Sequence, residues 1–298
     1  MPMTKGEVQI YYETRGPDDG VPLLLIQGYT WQMIGWREAF CQEFVDRGAY
    51  VILFDNRDVG LSQKFGGPAD LARDFGRLMT LLQTGDPSGG YTLEDMARDG
   101  FSVLDALGLA SAHIAGASMG GMIAQTMALL HPSRVRSLNL IYTAPALDQA
   151  RYFVPPETLE DPTAMGRRHD RETAIEEFVK RERLSASTAY PYDEDWVREL
   201  GVRTYDRCYA PEGVVRQLAA MIGWRPTPEA LGDLGMPSTI IHGRADRRIK
   251  VDAALELGRL LKTSEMHIYP GLGHEIPQQV WSDFAATIMR TAARGEAG

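Results

Sequence analysis

The chain has 298 residues, 44% of them hydrophobic and 24% charged, which is enough apolar material for one large soluble domain or two small ones. Its formal net charge is −9 and its basic residues are scattered among acidic ones, so no basic stripe exists to neutralise nucleic acid or an anionic membrane. Cys41 and Cys208 stand far apart with no C-x-x-C or Cys/His cluster, so neither a disulfide framework nor a zinc site is expected, and a reducing cytoplasm is the expected compartment.

The opening "MPMTKGEVQI" has no apolar h-region and no apolar run approaches ~18 residues, so neither a signal peptide nor a membrane span is expected. "MTKGEVQIYYE" reads as a hairpin. After it, "VPLLLIQG", "YVILFDN", "AHIAGAS", "VRSLNLIYTA", "STIIHGRAD" and "EMHIYPGLG" read as strands, being short β-branched or apolar runs bounded by Gly, Pro or Asp. Helical patterns over 36–47, 93–107, 119–130 and 251–261 alternate with them, which predicts a mostly parallel sheet covered on both faces. Regularity breaks between about 146 and 233, where Pro155-Pro156, Pro162, Pro191 and Pro211 separate the charged segments "RETAIEEFVKRERL" and "DEDWVRELGVRTYDRCY". Residues 146–233 are therefore expected to form a helical cap inserted into a core domain of residues 1–145 and 234–298.

Within this frame Gly116-Ala117-Ser118-Met119-Gly120 fits G-x-S-x-G, with the strand "AHIAG" before it and the helix "MGGMIAQTMALL" after it. A serine on a sharp strand-to-helix turn is held in a strained conformation by closely packed neighbours, which is why glycine stands two residues away on either side. The turn presents the Ser118 hydroxyl at a helix N-terminus, where backbone N–H groups favour a developing negative charge, so Ser118 is expected to be a nucleophile.

A serine nucleophile needs a base and a group that orients the base. His274, on the loop "GLGHEIP" after the last strand, is the expected base. His113, His131, His169 and His267 read as structural, and His242 reads as a side chain bracing its loop. The acid belongs just past a strand end between serine and histidine. Asp246 in "STIIHGRAD" meets that description, with Asp148 after "LIYTAPAL" as the alternative.

"GASMGG", "HGRAD" and "GLGHEIP", in that order, make the chain resemble the α/β-hydrolase superfamily. "LLLIQGYTWQMIGW", "VILFDNRDVGLSQKF" and "GASMGGMIAQTMALLHPSRVRSLNLIY" resemble more narrowly the bacterial carboxylesterases that include the aclacinomycin methylesterases. The resemblance implies the α/β-hydrolase fold, with a mostly parallel eight-stranded sheet flanked by helices and a helical cap. It implies Ser118 as nucleophile, His274 as base, Asp246 as orienting acid, the backbone N–H groups of Tyr29 and Met119 as oxyanion hole, and ester hydrolysis through an acyl-enzyme. Where many members have His-Gly after the third strand, this chain has Gln27-Gly28. Asp55, Arg57 and Ser62 in "DNRDVGLS" are expected to bond backbone groups of their loop.

A substrate pocket is expected from Gly28, Trp31, Met33, Tyr142, Met221 and Trp224, within a wider set of large apolar residues that includes Trp36, Tyr152, Phe153, Met165, Trp196 and Tyr205. Mixed charges in "MGRRHDRETAIEEFVKRER" read as a solvated helix face. No phosphate-cradling glycine motif occurs, so no nucleotide cofactor is expected, nor any metal. The expected partner is a small-molecule ester, with monomer and homodimer both open. The same fold and triad also serve C–C hydrolases, lyases and cofactor-free oxygenases, and some superfamily members only bind ligands, so the fold alone does not fix the reaction.

Overall fold

The computed structural model describes residues 2–86, 90–153 and 166–297. The strands β1 (Tyr12–Arg15), β2 (Val21–Ile26), β3 (Ala49–Phe54), β4 (Ala112–Ala117), β5 (Val135–Ile141), β6 (Ser238–Gly243) and β7 (Ser264–Tyr269) form one seven-stranded sheet in the order β1-β3-β2-β4-β5-β6-β7. Every neighbouring pair is parallel except β1 with β3. Before β2 lies only β1; then follow α1 (Glu38–Val45), α2 (Leu71–Thr84), α3 (Leu93–Ala106) and α4 (Met119–Leu130). Between β5 and β6 the chain runs through α5 (Gln149–Tyr152), α6 (Arg171–Arg183), α7 (Glu194–Arg207), α8 (Gly213–Ile222) and α9 (Pro228–Gly232), and α10 (Val251–Leu260) and α11 (Trp281–Glu296) complete it. Pro155-Pro156, Pro162 and Met165 lie outside the described residues.

Seven strands stand where eight were expected. At the N-terminus Met3 and Tyr11 make a single antiparallel bridge. The Thr4 hydroxyl takes the Ile10 N–H at 3.0 Å and donates to the Val8 carbonyl at 3.0 Å, so a side chain occupies groups that a ladder would use. A closed turn results in place of an eighth strand.

β2, β3 and β4 are almost wholly buried and apolar apart from His113 of β4, because both faces of the sheet are covered. Leu24, Ile26, Ile52, Phe54 and Ile114 join one core with residues of α3 and α4, while Leu23, Leu25, Val51, Leu53 and Ala115 join the other with residues of α1 and α11. After β2 the chain turns to one side to make β3, then crosses back to make β4 on the other side of β2. The C-terminal ends of β2 and β4 therefore border the crevice where strand order reverses, the usual position for a ligand in an open α/β sheet. Gln27-Gly28 follows β2 and Ser118 follows β4.

The helices between β5 and β6 are fastened to this platform by buried ion pairs. Arg216 of α8 donates to both oxygens of Asp58 at 2.8 Å and to Asp74 of α2 at 2.6 Å. Arg207 at the end of α7 lies 2.7 Å from Asp55. The three carboxylate side chains are at most 1% exposed. Arg216→Met keeps the side chain's apolar volume but leaves Asp58 buried without its cation, and leaves Asp74 only the longer contacts to Arg73 at 3.6 Å and Arg77 at 3.5 Å. It is expected to destabilise the fold by about 3–5 kcal/mol, as removal of one partner of a buried pair does. Urea unfolding checks this; a loss under about 1 kcal/mol would mean that the pair is solvated or replaced.

Candidate active site

Ser118 occupies φ 56, ψ −122 between β4 and α4, a conformation that costs a non-glycine residue about 1–3 kcal/mol. The surroundings enforce it. A Cβ on Gly116 would stand 2.1 Å from the Gly120 carbonyl oxygen, and one on Gly120 would stand 2.1 Å from that of Ile26. The Ser118 N–H donates to the Ile141 carbonyl at 3.0 Å and the Thr143 hydroxyl donates to the Ser118 carbonyl at 2.7 Å, so the strained residue is pinned from both sides. Opposite it, the position of a Cβ on Gly28 lies 3.1 Å from Ser118 Cβ, a tight contact that any larger residue would have to relieve by shifting one of the two loops. Among the described residues the amides of Tyr29 and Met119 have no acceptor, and both residues border the same cavity as Ser118.

His274 Nδ1 lies 2.7 Å from Asp246 Oδ2. Burial works against the charge on Asp246, but His274, His242 and the Ile249 amide outweigh it and hold the carboxyl below the usual carboxylate range. An ionised carboxylate only accepts, so Nδ1 carries the proton and the Nε2 lone pair is left free. No hydrogen bond joins Nε2 to Ser118 among the described residues. The other Asp246 oxygen accepts from the amides of Arg248 at 2.7 Å and Ile249 at 2.9 Å, which fixes the carboxylate in its turn. The Tyr142 ring, 4.4 Å from that of His274, covers the imidazole.

The loop carrying His274 is clasped by the segment after α6. The His274 amide donates to the Ser185 carbonyl at 2.8 Å, the Gly273 amide to Ser187 Oγ at 2.9 Å, and the amides of Thr188 and Ala189 both reach the Gly271 carbonyl. A Cβ on Gly273 would stand 2.4 Å from the Ser185 oxygen, so this glycine is demanded by the close approach.

The alternatives stand elsewhere. Asp148 is exposed and accepts the Arg151 amide at 3.1 Å. His242 is fully buried, and its Nε2 donates to the Ile249 carbonyl at 2.9 Å, the loop-bracing role expected. Burial holds it below the usual histidine range, against the pull of Asp246. His113 is likewise buried, between Ser137 and Glu296.

Ser118, Tyr142 and His274 border a cavity of about 2220 Å³. Of the expected pocket residues, Gly28, Trp31, Tyr142 and Met221 line it. Met33 and Trp224 do not. Met33 packs in the core with Trp36 and Phe40 while its amide donates to Asp55, and Trp224, at the end of α8, turns into the core on the opposite sheet face. Trp36, Phe153, Trp196 and Tyr205 do reach the cavity. Asp55 and Ser62 bond backbone groups as expected, Asp55 accepting from the amides of Met33 and Leu61 and Ser62 donating to the Asp55 carbonyl. Arg57 donates to the Asp95 carbonyl at 3.1 Å, a backbone group as expected, and also pairs with the buried side chain of Asp99 at 2.6 and 2.8 Å.

The loop Gln27–Thr30 holds contacts that the sequence reading missed. Gln27 folds its side-chain oxygen onto the Gly28 amide at 3.2 Å. The Tyr29 hydroxyl donates to the Val214 carbonyl at 2.9 Å, and the Thr30 amide to Gln217 Oε1 at 2.9 Å. Both partners lie on α8, and Gln217 is 187 positions from Thr30, so no local pattern could have paired them. Among the described residues no group of three His, Cys, Asp or Glu gathers that could hold a metal ion, and no helix is long and apolar enough to cross a membrane.

The sequence and the structure were each compared with known proteins. Residues 21–277 match the family model described as alpha/beta hydrolase fold. A provisionally named carbamate hydrolase of Variovorax paradoxus (strain S110) is 26% identical over 277 residues, covering 89% of each chain. Rhodomycin D methylesterase of Streptomyces sp. (strain C5) is 31% identical over 139 residues, 47% of this chain and 40% of that one. Among solved structures, the enol-lactonase from Burkholderia xenovorans LB400 superposes with a TM-score of 0.70 at 17% identity, covering 98% of this chain and 100% of that one.

Proposed function

The chain belongs to the α/β-hydrolase fold family, and from that premise we propose that it is a serine hydrolase that cleaves a carboxylic ester. The observation that carries the reading is the 2.7 Å bond between His274 Nδ1 and Asp246, on the cavity that also receives Ser118 from its strained turn. Ser118 Oγ attacks the ester carbonyl as His274 Nε2 takes its proton, and Asp246 keeps Nε2 the free nitrogen and stabilises the imidazolium. The tetrahedral oxyanion receives the Tyr29 and Met119 amides. As the C–O bond of the ester breaks, His274 returns the proton to the leaving alcohol; a water molecule then repeats the cycle on the acyl-enzyme and releases the acid. The closest tightening, Ser118 to His274, is expected on substrate binding, since such bonds are often long in an empty site.

The helices of residues 146–233 act as the cap of this site. A cavity of about 2220 Å³ exceeds the roughly 300–1,000 Å³ that encloses drug-sized ligands, which supports an apolar acyl or polyketide-sized ester, as does the likeness to a rhodomycin D methylesterase. A second reading, C–C bond hydrolysis by the same three residues, is favoured by one observation: the 2-hydroxy-6-oxononadienedioate/2-hydroxy-6-oxononatrienedioate hydrolase of Paraburkholderia xenovorans (strain LB400) is 30% identical over 186 residues. A panel of p-nitrophenyl esters of rising chain length, aromatic methyl esters and a vinylogous 1,5-diketone separates the two. Turnover of the diketone alone would overturn the esterase reading.

The amide of Tyr29 can be tested apart from its ring. Tyr29→Ala keeps the N–H and loses the bond to Val214, whereas Tyr29→Pro removes the donor. Tyr29→Pro is expected to have a kcat about 10²- to 10³-fold below that of the wild type, the usual cost of one oxyanion donor, with Tyr29→Ala between the two because it keeps the donor but loses the Val214 bond. Circular dichroism controls for the constraint proline puts on Gly28. A folded Tyr29→Pro with wild-type kcat would put the second donor outside this loop.

A further inference from the structure

We propose that Gln217, on α8 of the cap, is a positioning residue that sets the oxyanion loop, so that the cap completes the reactive site as well as covering it. The inference rests on the serine-hydrolase reading above. Thr30 sits at φ 67, a left-handed conformation that is strained for a β-branched side chain. Its amide is held at 2.9 Å by Gln217 Oε1, while Gln217 Nε2 donates to the Arg57 carbonyl at 3.0 Å. Gln217 is fully buried with both ends of its amide engaged, which fixes its orientation: only the oxygen can accept the Thr30 N–H.

Three residues earlier on α8, the Val214 carbonyl takes the Tyr29 hydroxyl. One helix thus grips two successive residues of the loop, by side chain at Tyr29 and by backbone at Thr30. That helix is itself immobile against the platform. Arg216 pairs with Asp58 and Asp74, and a Cβ on Gly213 would stand 2.6 Å from Asp58 Cβ. Without the Gln217 acceptor, the Thr30 amide loses its partner, and the Tyr29–Val214 and Trp31–Gly28 bonds that remain do not hold Thr30 itself, which relaxes toward negative φ. Tyr29, the residue before it, moves with the relaxing chain, and an oxyanion donor displaced by a fraction of an ångström loses most of its effect.

Gln217→Met keeps length and volume but accepts no strong hydrogen bond. It is expected to lower kcat about 10- to 100-fold with KM changed less than about threefold, because the oxyanion forms only in the transition state. Affinity for an alkylboronic acid, which forms a tetrahedral adduct on Ser118, should fall by the same factor. Adding Thr30→Gly, which adopts positive φ without strain, should restore most of the loss when compared with Thr30→Gly alone. A purely structural glutamine gives no such rescue. If Gln217→Met does not fold, Tyr29→Phe tests the same grip from its other contact, with parallel losses in kcat and boronate affinity expected. Wild-type kcat and boronate affinity in folded Gln217→Met, or a rise in KM alone, would overturn the inference and leave the esterase reading standing. A wild-type protein whose Ser118 captures no boronate overturns both.

Discussion

Ser118→Ala is expected to lower kcat by about 10³-fold or more and to leave the fold intact, because a nucleophile and its base act as one unit and removal of either disables both. The fold is spared for a structural reason. The bonds that hold this turn run through the Ser118 amide and carbonyl, to Ile141 and from Thr143, and survive the change. Alanine also fits where serine does, since the crowding falls on Gly28, Gly116 and Gly120. Residual turnover then measures what the oxyanion hole and binding supply without the nucleophile. A fluorophosphonate should label wild-type protein at Ser118 with one-to-one stoichiometry and leave Ser118→Ala unmodified. Labelling of a different residue at full stoichiometry in the wild-type protein would remove Ser118 from the reaction.

That this serine could be found in the sequence, and its helper Gln217 could not, follows from the range of the forces involved. The elbow is a local demand: a left-handed serine and close strand-to-helix packing need glycine at fixed offsets, and "GASMGG" records it. Strands β2 to β6 were legible for a similar reason, as apolar runs bounded by turn residues. Helices over 93–107, 119–130 and 251–261 were legible from periodicity and agree with α3, α4 and α10 to within a residue. Helices α2 and α11 passed unmarked, although α2 presents Leu78 and Leu81 to the core and α11 presents Phe284 and Ile288. The first strand of the expected hairpin failed because one threonine hydroxyl replaced its ladder. Contacts between the helices that follow β5 and the sheet platform were out of reach altogether. Arg216, Arg207 and Gln217 look like ordinary polar positions on helices, and only folding shows that each packs against a buried partner or a loop more than a hundred residues away. Met33 and Trp224 show the converse: a large apolar residue near a site does not reveal whether it faces the ligand or the core.

Asp246→Asn is expected to lower kcat by about 10⁴-fold, through the wrong tautomer of His274. The asparagine oxygen can still accept the amides of Arg248 and Ile249, which leaves its NH₂ facing His274 Nδ1. Two donors cannot share that bond, so the imidazole proton moves to Nε2, where it blocks uptake of the proton from Ser118. Asp148→Asn should be nearly silent, since Asp148 is exposed and among the described residues its side chain bonds the turn at Arg151. The pH dependence of stability carries the same information, because His274, His242 and the Ile249 amide hold the Asp246 carboxyl below the usual carboxylate range. The depressed carboxyl contributes stability that is fully present above the ordinary aspartate value of about 3.9 and is lost as pH falls through the lower folded value. Asparagine has no such titration, so the stability difference between wild type and Asp246→Asn, read by urea unfolding, should narrow only below about pH 4. An active Asp246→Asn beside an inactive Asp148→Asn would transfer the orienting role to Asp148 and require the loop after β5 to swing onto His274 during turnover.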